Sequence, residues 1–447
     1  MRQMSIAIPS QVRRVMGVLE AAGYEAYIVG GCVRDSLMGK EPHDYDVTTD
    51  CTPDKMKSLF TDFHTIETGL KHGTLTVICD HYPVEVTTYR CDGDYGDHRR
   101  PDSVTFVREL KEDLKRRDFT VNAMCMDGEG RLIDLFGGEE DLNNKIIRCV
   151  GDPEQRFEED ALRIMRAMRF ASVLDHRIDE RTLAAMRKKA GLLSYVSAER
   201  IFSELKKLLC GRAAERVMTE LSDLMALIIP ELSPCIGCVQ NNPHHCFDVY
   251  GHICRAVSEI EPEEDLRLTM LFHDTGKPLK KTTDQNGTDH FKLHQLASAD
   301  IADTVLRRLK SSVKQRERVC ALIREHDNRI PAERRAVRRF IAKYDFDFFY
   351  DWLKVRRADT LAQSSYYKKE KLAQLEEVEA VAAELMREES CFKLSDLAVN
   401  GRDLMSIGLK GSAIGEGLSF ALSAVIDERV QNEREALLDL VRRHYDE

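Results

Sequence analysis

Between about residues 24 and 150, short apolar runs (YEAYIVGG, HGTLTVIC, YPVEVTTYR and RLIDLFGG) alternate with polar, turn-rich or helical pieces. Apolar runs of this length bounded by glycine and polar clusters predict strands, and strands interleaved with helices predict an α/β region with a small mixed sheet. After GDPEQRF the period changes. Segments such as EEDALRIMRAMRFASVL and AERIFSELKKLL repeat their apolar positions every three to four residues, which predicts an all-helical remainder from about 158 to 447. The prolines of PELSPCIGCVQNNPHH (Pro230, Pro234, Pro243) mark one boundary, and the long helical run EKLAQLEEVEAVAAELMREE suggests another near 366. The pattern therefore reads as an α+β multidomain chain with segments at 1–150, 151–230, 231–365 and 366–447.

A chain of 447 residues, 43% hydrophobic and 32% charged, has ample material for buried cores and the composition of an ordinary globular protein. The start, MRQMSIAIPSQVRRVMGVLE, reads as an amphipathic helix rather than an export leader. No stretch approaches the ~18 apolar residues of a membrane span, so a cytoplasmic location is expected. The 13 cysteines are scattered, and Cys235 and Cys238 lack a second CxxC, which favours reduced thiols over a zinc ribbon. A net charge of −10 does not advertise nucleic-acid binding, but KEDLKRR at 111–117 and RIMRAMR at 163–169 are local basic patches.

Candidate chemistry begins in YIVGGCVRDSLMGKEPHDYDVTTD, residues 27–50. Side chains two apart on an extended strand share a face, so Asp44 and Asp46 would crowd two carboxylates together and call for a cation. Gly30 and Gly31 permit a tight turn into a helix start that favours phosphate, and Arg34 lies one turn further on. Glu85, in VEVTT, offers a third carboxylate from a neighbouring strand. Carboxylates beside a phosphate-favouring turn describe a magnesium site for a nucleoside triphosphate. Two such ions stabilise the attacking and leaving oxygens of a phosphoryl displacement.

GGCVRD and DYD, followed in order by GLKHGTLTV, EVTTYR, RRPDSVTFV, EDLKRRDFTVNAM, GDPEQRFEEDALRIMRAMRF and SAERIFSELKKLL, closely resemble the motifs of bacterial tRNA nucleotidyltransferases of the class shared with poly(A) polymerases. The resemblance spans residues 27–210, and KHGT is similar to the CCA-adding branch. It implies a head at 1–150 with the DNA polymerase beta-like nucleotidyltransferase fold, a helical neck at 151–230 that reads the nucleobase, and a catalytic trio Asp44, Asp46 and Glu85 with two Mg2+ ions. The implied substrates are tRNA, CTP and ATP; poly(A) addition and CC-only or A-only addition are the alternatives. Asp160 and Arg163, at i and i+3 on a helix, suit cytosine and adenine alike. Both bases present an exocyclic amine beside a ring-nitrogen acceptor, whereas uracil and guanine reverse that order. By resemblance Arg117, Arg166 and Arg169 meet the triphosphate or nucleotide, and Asp118 accepts from the ribose 2′-OH; Asp118 as a helix cap and the arginines as a solvated stripe stay open on local grounds. The loop CDGDYGDHRRPDSV, 91–104, would help the pocket change from C to A.

A second constellation lies at 244–360. His252, His273-Asp274 and Asp359 resemble the four ligands of the HD-domain phosphohydrolase superfamily, with His294 and His326 as further candidates for a second metal or for phosphate. The resemblance implies an HD domain at 231–365 holding Mg, Mn, Ni or Fe, acting on phosphate mono- or diesters or kept as a structural part of an RNA-binding body. A phosphohydrolase with a non-catalytic head is the rival from another class. The tail, 366–447, contains LKGSAIGEGL, where Lys410 and Gly411 precede a helix that either grips RNA phosphate or simply fills the fold.

Overall fold

The computed structural model describes residues 8–93, 104–388 and 391–446 and separates into two compact units, Met1–Ile228 and Ile229–Glu447. In the first unit α1 (Ser10–Ala21) buries Val12, Val15, Met16 and Leu19, one apolar stripe at helical spacing. It leads into a seven-stranded mixed sheet ordered β3-β4-β5-β2-β1-β8-β9. The strands are β1 (Ala26–Val29), β2 (Asp46–Thr49), β3 (His64–Ile66), β4 (Thr74–Cys79), β5 (Tyr82–Thr88), β8 (Met124–Met126) and β9 (Leu132–Asp134), while β6 (Arg90–Asp92) and β7 (Val104–Phe106) form a separate hairpin. Each apolar run read as a strand becomes one, and β4 alternates between half-buried and buried positions as a period of two requires.

Around the sheet lie α2 (Gly31–Leu37), α3 (Pro53–Leu59), α4 (Leu110–Lys115) and α5 (Gly138–Asn143). Then come the neck helices α6 (Pro153–Glu159), α7 (Leu162–Leu174), α8 (Glu180–Lys189), α9 (Ala198–Leu209), α10 (Ala214–Glu220) and α11 (Ser222–Ile228). Two short exceptions interrupt the helical pattern after 158. A two-residue parallel pair joins Ile146–Ile147 to Arg177–Ile178, and an antiparallel pair joins Thr282–Thr283 to Asp289–His290.

One expectation fails here. FEEDALRIMRAMRF is not a single helix: α6 ends at Glu159, and Asp160 takes extended backbone angles (φ −136°, ψ 104°) before α7 begins. The physical cause is the Asp160 side chain, which accepts the Leu162 N–H at 3.1 Å and so offers the backbone an alternative to the helical ladder.

The second unit is helical: α12 (Val249–Glu259), α13 (Glu264–Phe272), α14 (Lys277–Lys280), α15 (His294–Arg308), α16 (Val313–Glu325), α17 (Arg334–Lys343), α18 (Phe346–Ala362), α19 (Lys368–Arg387), α20 (Gly401–Ser406), α21 (Ser412–Ile426) and α22 (Arg434–Asp446). The tail has its own apolar core of Val399, Leu404, Ala421, Val425, Leu437 and Val441. It is tied to α17 by Arg334 with Glu388 and Glu428, and by Arg335 and Arg339 with Asp427. Among the described residues no helix is long and apolar enough to cross a membrane.

Candidate functional site

Asp46 opens β2 and stands opposite Glu85 of β5 in parallel register, so the pleat points both carboxylates to one face of the sheet. Asp44 and Asp46 are exposed while Tyr45 and Val47 between and after them are buried, which places both acids on that face. Although the residue is open to solvent on that face, the protein packed around its carboxyl and then repulsion from Glu85 push Asp46 up from 3.8 to about 6, with Arg117 opposing and Asp44 adding. A carboxylate made this uncomfortable by its acidic neighbours is relieved by a divalent cation, so the donor set fits magnesium.

The glycine turn serves the same face. Gly30, at φ 84°, donates its N–H to Met124 O at 3.1 Å, and a Cβ there would stand 3.2 Å from the Arg117 guanidinium. Glycine is thus required both by the positive φ and by the close approach of a cation. Gly31 starts α2, and Arg34, one turn along, is buried and donates to Asn122 Oδ1 at 2.6 Å and to Asp35. The Arg117 Nε–H is buried without a partner, a donor that suits an anionic ligand.

Asp118 is not the cap of the 3-10 turn Thr120–Asn122, whose N-cap position is Phe119. It accepts from the following Phe119 N–H (2.8 Å) and Asn122 Nδ2 (3.1 Å) on one oxygen, and from Arg166 on the other (2.5 and 2.8 Å). Burial alone would raise its carboxyl, but the Arg166 guanidinium holds it down at about 2, so it stays ionised. Arg169 pairs with Glu204 at 3.2 Å, and the guanidinium carbons of Arg169, Arg34 and Arg166 lie 4.0, 5.2 and 5.4 Å from the Phe170 ring centre. These arginines are organised around an aromatic face rather than spread along a solvated stripe.

The Arg163 N–H donates to the Asp160 carbonyl at 3.0 Å, but their side chains take other partners. Asp160 accepts from Arg200 at 3.3 Å. Arg163 is buried and donates to Glu159 (2.9 Å) and to the carbonyls of Arg156 (3.2 Å) and Arg116 (2.8 Å). These contacts do not exhaust the guanidinium's donors.

Two residues at this site escaped the sequence reading. Asp113, fully buried, accepts from Thr48 Oγ1 of β2 (3.2 Å), from Arg116 (2.7 Å) and from Arg117 (3.3 Å); Asn122 braces both Arg34 and Asp118. Asp113 sits at i−3 and i−4 to the two arginines, a spacing that signals an ion pair but not its burial. The loop expected to remodel the pocket lies outside the described residues over 94–103; its flanks form the β6·β7 hairpin.

The second unit brings four histidines together from α12, α13, α15 and α16, with Asp274 after α13 and Asp359 from α18. His252 Nε2 lies 3.0 Å from Asp359 and 3.3 Å from Asp274, and His273 Nε2 lies 3.3 Å from Asp274 and 3.7 Å from Asp359. His294 and His326 approach the other oxygen of Asp274 at 3.0 and 3.7 Å. Burial would discharge His273, but Asp274 and Asp359 push it up to about 10, and both carboxylates fall well below their ordinary range. The His273 imidazolium and the Lys277 ammonium, 2.7 Å from Asp274 Oδ2, supply the positive charge that balances these carboxylates. Among the described residues the two triads whose ligand atoms lie within 4.8 Å of one another are both here, namely His252, His273, Asp274 and Asp274, His294, His326. In the tail, Gly411 takes φ 59° ahead of α21, and Lys410 is exposed beside it.

Three family descriptions match separate stretches: the poly A polymerase head domain over 26–148, a probable RNA and SrmB-binding site of polymerase A over 176–236, and tRNA nucleotidyltransferase domain 2 over 291–441. A CCA-adding enzyme of Levilactobacillus brevis is 53% identical over 209 residues, 47% of this chain and 52% of that protein. The chain thus aligns with about half the length of the curated relatives it matches. The crystal structure of the Bacillus stearothermophilus CCA-adding enzyme in complex with CTP superposes with a TM-score of 0.76 at 29% identity, covering 98% of this chain and 97% of that one. The Thermotoga maritima CCA-adding enzyme complexed with tRNA covers 99% of this chain and 97% of that one at 20% identity and TM-score 0.57, a likeness of fold.

Proposed function

From the chain's membership of the tRNA nucleotidyltransferase family whose head is shared with poly(A) polymerases, we propose that it adds C, C and A without a template to the 3′ end of tRNA, using CTP and ATP. The observation that carries this reading is the parallel register of Asp46 with Glu85, facing the side where Gly30 admits Arg117. The tRNA 3′-hydroxyl attacks the α-phosphorus of the bound nucleotide, the bond to the β-phosphate oxygen breaks, and pyrophosphate leaves. The family implies dependence on a divalent metal. Asp44, Asp46 and Glu85 would hold two Mg2+ ions, which when bound neutralise charge on the attacking and leaving oxygens.

Arg34 and Arg117 bind triphosphate oxygens, and the Phe170 platform keeps Arg166 and Arg169 aimed at the nucleotide. Asp118, ionised and braced by Arg166 and Asn122, accepts from the ribose 2′-OH. Asp160 accepts from the exocyclic amine of C or A while Arg163 donates to the ring nitrogen. U or G in that pocket would set a carbonyl oxygen against the Asp160 carboxylate and a ring N–H against the Arg163 guanidinium, a mismatch of about 1 to 3 kcal/mol for each buried group left unpaired. That the Bacillus stearothermophilus CCA-adding enzyme, 29% identical over nearly the whole chain, is found in complex with CTP favours this reading over poly(A) addition and over a non-catalytic head. The head (1–150), the neck (151–230) and a tRNA-gripping body and tail (231–365 and 366–447) divide the task, in the cytoplasm where tRNA is processed.

The four groups His252, His273, Asp274 and Asp359 support a second assignment, a divalent-metal centre of the HD type. An ion bound there supplies activation of water for hydrolysis of phosphate esters. Asp46→Ala tests the main reading: nucleotide incorporation should vanish while the melting transition survives, and retained turnover in a folded variant refutes the assignment.

A further inference from the structure

The cavity at the histidine cluster is lined by more than metal ligands. It encloses about 590 Å³, and its wall includes His244, His245, Lys277 and Lys371 beside Asp274 and Asp359. His244 and His245 stand in the loop that leads into α12, and that loop is braced at several points. Asn242 Oδ1 accepts the His244 N–H at 3.1 Å, and the Ser364 N–H donates to the His244 carbonyl at 2.9 Å. Ser364 Oγ donates to the Pro243 carbonyl at 2.6 Å, and Gln240 Nε2 to the Phe247 carbonyl at 3.3 Å. Both imidazoles are half-buried and are positioned before any ligand arrives.

A lysine faces each ring. Lys277 Nζ stands 3.5 Å from His245 Nε2, and Lys371 Nζ, from the first turn of α19, stands 3.3 Å from His244 Nδ1. An ammonium offers only donors, so the ring nitrogen that faces it is the one without a proton. The proton of each ring therefore sits on the other nitrogen, Nδ1 of His245 and Nε2 of His244. Neither donor meets an acceptor among the described residues, and His245 Nδ1 is buried. The two lysines differ in their own partners. Lys277 is satisfied by Asp274 at 2.7 Å and Gln240 Oε1 at 2.8 Å. Lys371, half-buried, donates to Gln363 Oε1 at 2.6 Å and makes no ion pair among the described residues, so its charge lacks a counter-ion. Two idle donors and one uncompensated cation on the wall of a cavity are what an anion with several acceptor oxygens satisfies.

We propose that His244, His245 and Lys371 form the receptacle for the phosphate group of an ester bound at the second site. The inference rests on the reading of His252, His273, Asp274 and Asp359 as a hydrolytic metal centre, and it adds the groups that hold the substrate. The Nδ1–H of His245 and the Nε2–H of His244 donate to phosphate oxygens, and Lys371 supplies the opposing charge. Because Lys371 belongs to α19, at the start of the segment 366–447, the body and the tail complete this site together.

The test uses the full chain loaded with Mn2+, p-nitrophenyl phosphate as the ester and inorganic phosphate as a competitor. His245→Phe and Lys371→Met should each raise the KM, and the inhibition constant of phosphate with it, about tenfold, as loss of one hydrogen bond to a charged group does, with kcat held within about threefold. An asparagine amide places an N–H where Nδ1 stood and a glutamine amide where Nε2 stood, so His245→Asn and His244→Gln should keep most of the affinity that the phenylalanine variants lose. An unchanged KM and inhibition constant in His245→Phe and Lys371→Met overturn the proposal, and so does a loss in His245→Phe that His245→Asn fails to recover. Lys371→Met serves if His245→Phe does not fold. A parent that hydrolyses no ester refutes the metal-centre reading instead. Inorganic phosphate is then titrated calorimetrically into chains carrying Arg117→Ala, which weakens anion binding by the head. Binding that falls about tenfold in Lys371→Met keeps the receptacle, whereas binding indifferent to that substitution, or none, overturns it.

Discussion

Asp46 shares its face with Glu85 and Asp44, and its carboxyl is pushed up to about 6. Because this value lies above the ordinary 3.8, the folded chain holds the proton more tightly than the unfolded chain between those two pH values. The group's contribution is most favourable below about pH 4 and is lost as pH rises through 6. In chelator at pH 8, Asp46→Asn should therefore melt above the parent, the gap should shrink below pH 5, and saturating Mg2+ should close it by stabilising the parent alone. An unaltered melting temperature at pH 8 would show that the acids do not crowd. Asp44 and Asp46 were legible in the sequence because alternation along a strand is a local property. Asp113 and Asn122 were not, because their partners come from other elements: Thr48 is 65 residues from Asp113 and Arg34 is 88 from Asn122.

The hinge between α6 and α7 shows how one side chain redirects an element. Helical periodicity in EEDALRIMRAMRF was read correctly, but the break at Asp160 depends on its side chain competing for the Leu162 N–H, which an apolar pattern does not register. The break separates Asp160 from the buried Arg163. Asp160→Ala should lower discrimination of CTP and ATP against UTP by about tenfold to a hundredfold, the worth of one charged hydrogen bond, measured by competitive single-nucleotide incorporation. Unchanged preference would remove Asp160 from base reading. Phe170 was hidden in the apolar stripe of α7, where composition cannot tell a packing ring from a platform for arginines. Phe170→Ala should cost about 3 to 5 kcal/mol in chemical denaturation and raise the KM for CTP, whereas Phe170→Leu should restore most of the stability and less of the KM. A KM that recovers fully with stability would make the ring simple core.

At the scale of the molecule, the division at Ile228–Ile229 falls beside the prolines that punctuate the sequence. The second centre is assembled over a long span, with His252 and Asp359 separated by 107 residues, so its grouping was legible only through resemblance to a known ligand set and not from local spacing. The residues proposed for nucleotidyl transfer and the histidine cluster each lie wholly within their own unit. His273→Gln should accordingly abolish any phosphate-ester hydrolysis while leaving nucleotide incorporation within about twofold, and a parallel loss of both would show one shared active site. The most direct measurement supplies the purified chain with tRNA ending at the discriminator base, plus CTP and ATP together and singly, and sequences the 3′ ends. The account predicts C, C and then a single A with both nucleotides, and two C residues with CTP alone. A run of A from ATP alone, or no extension at all, would contradict it.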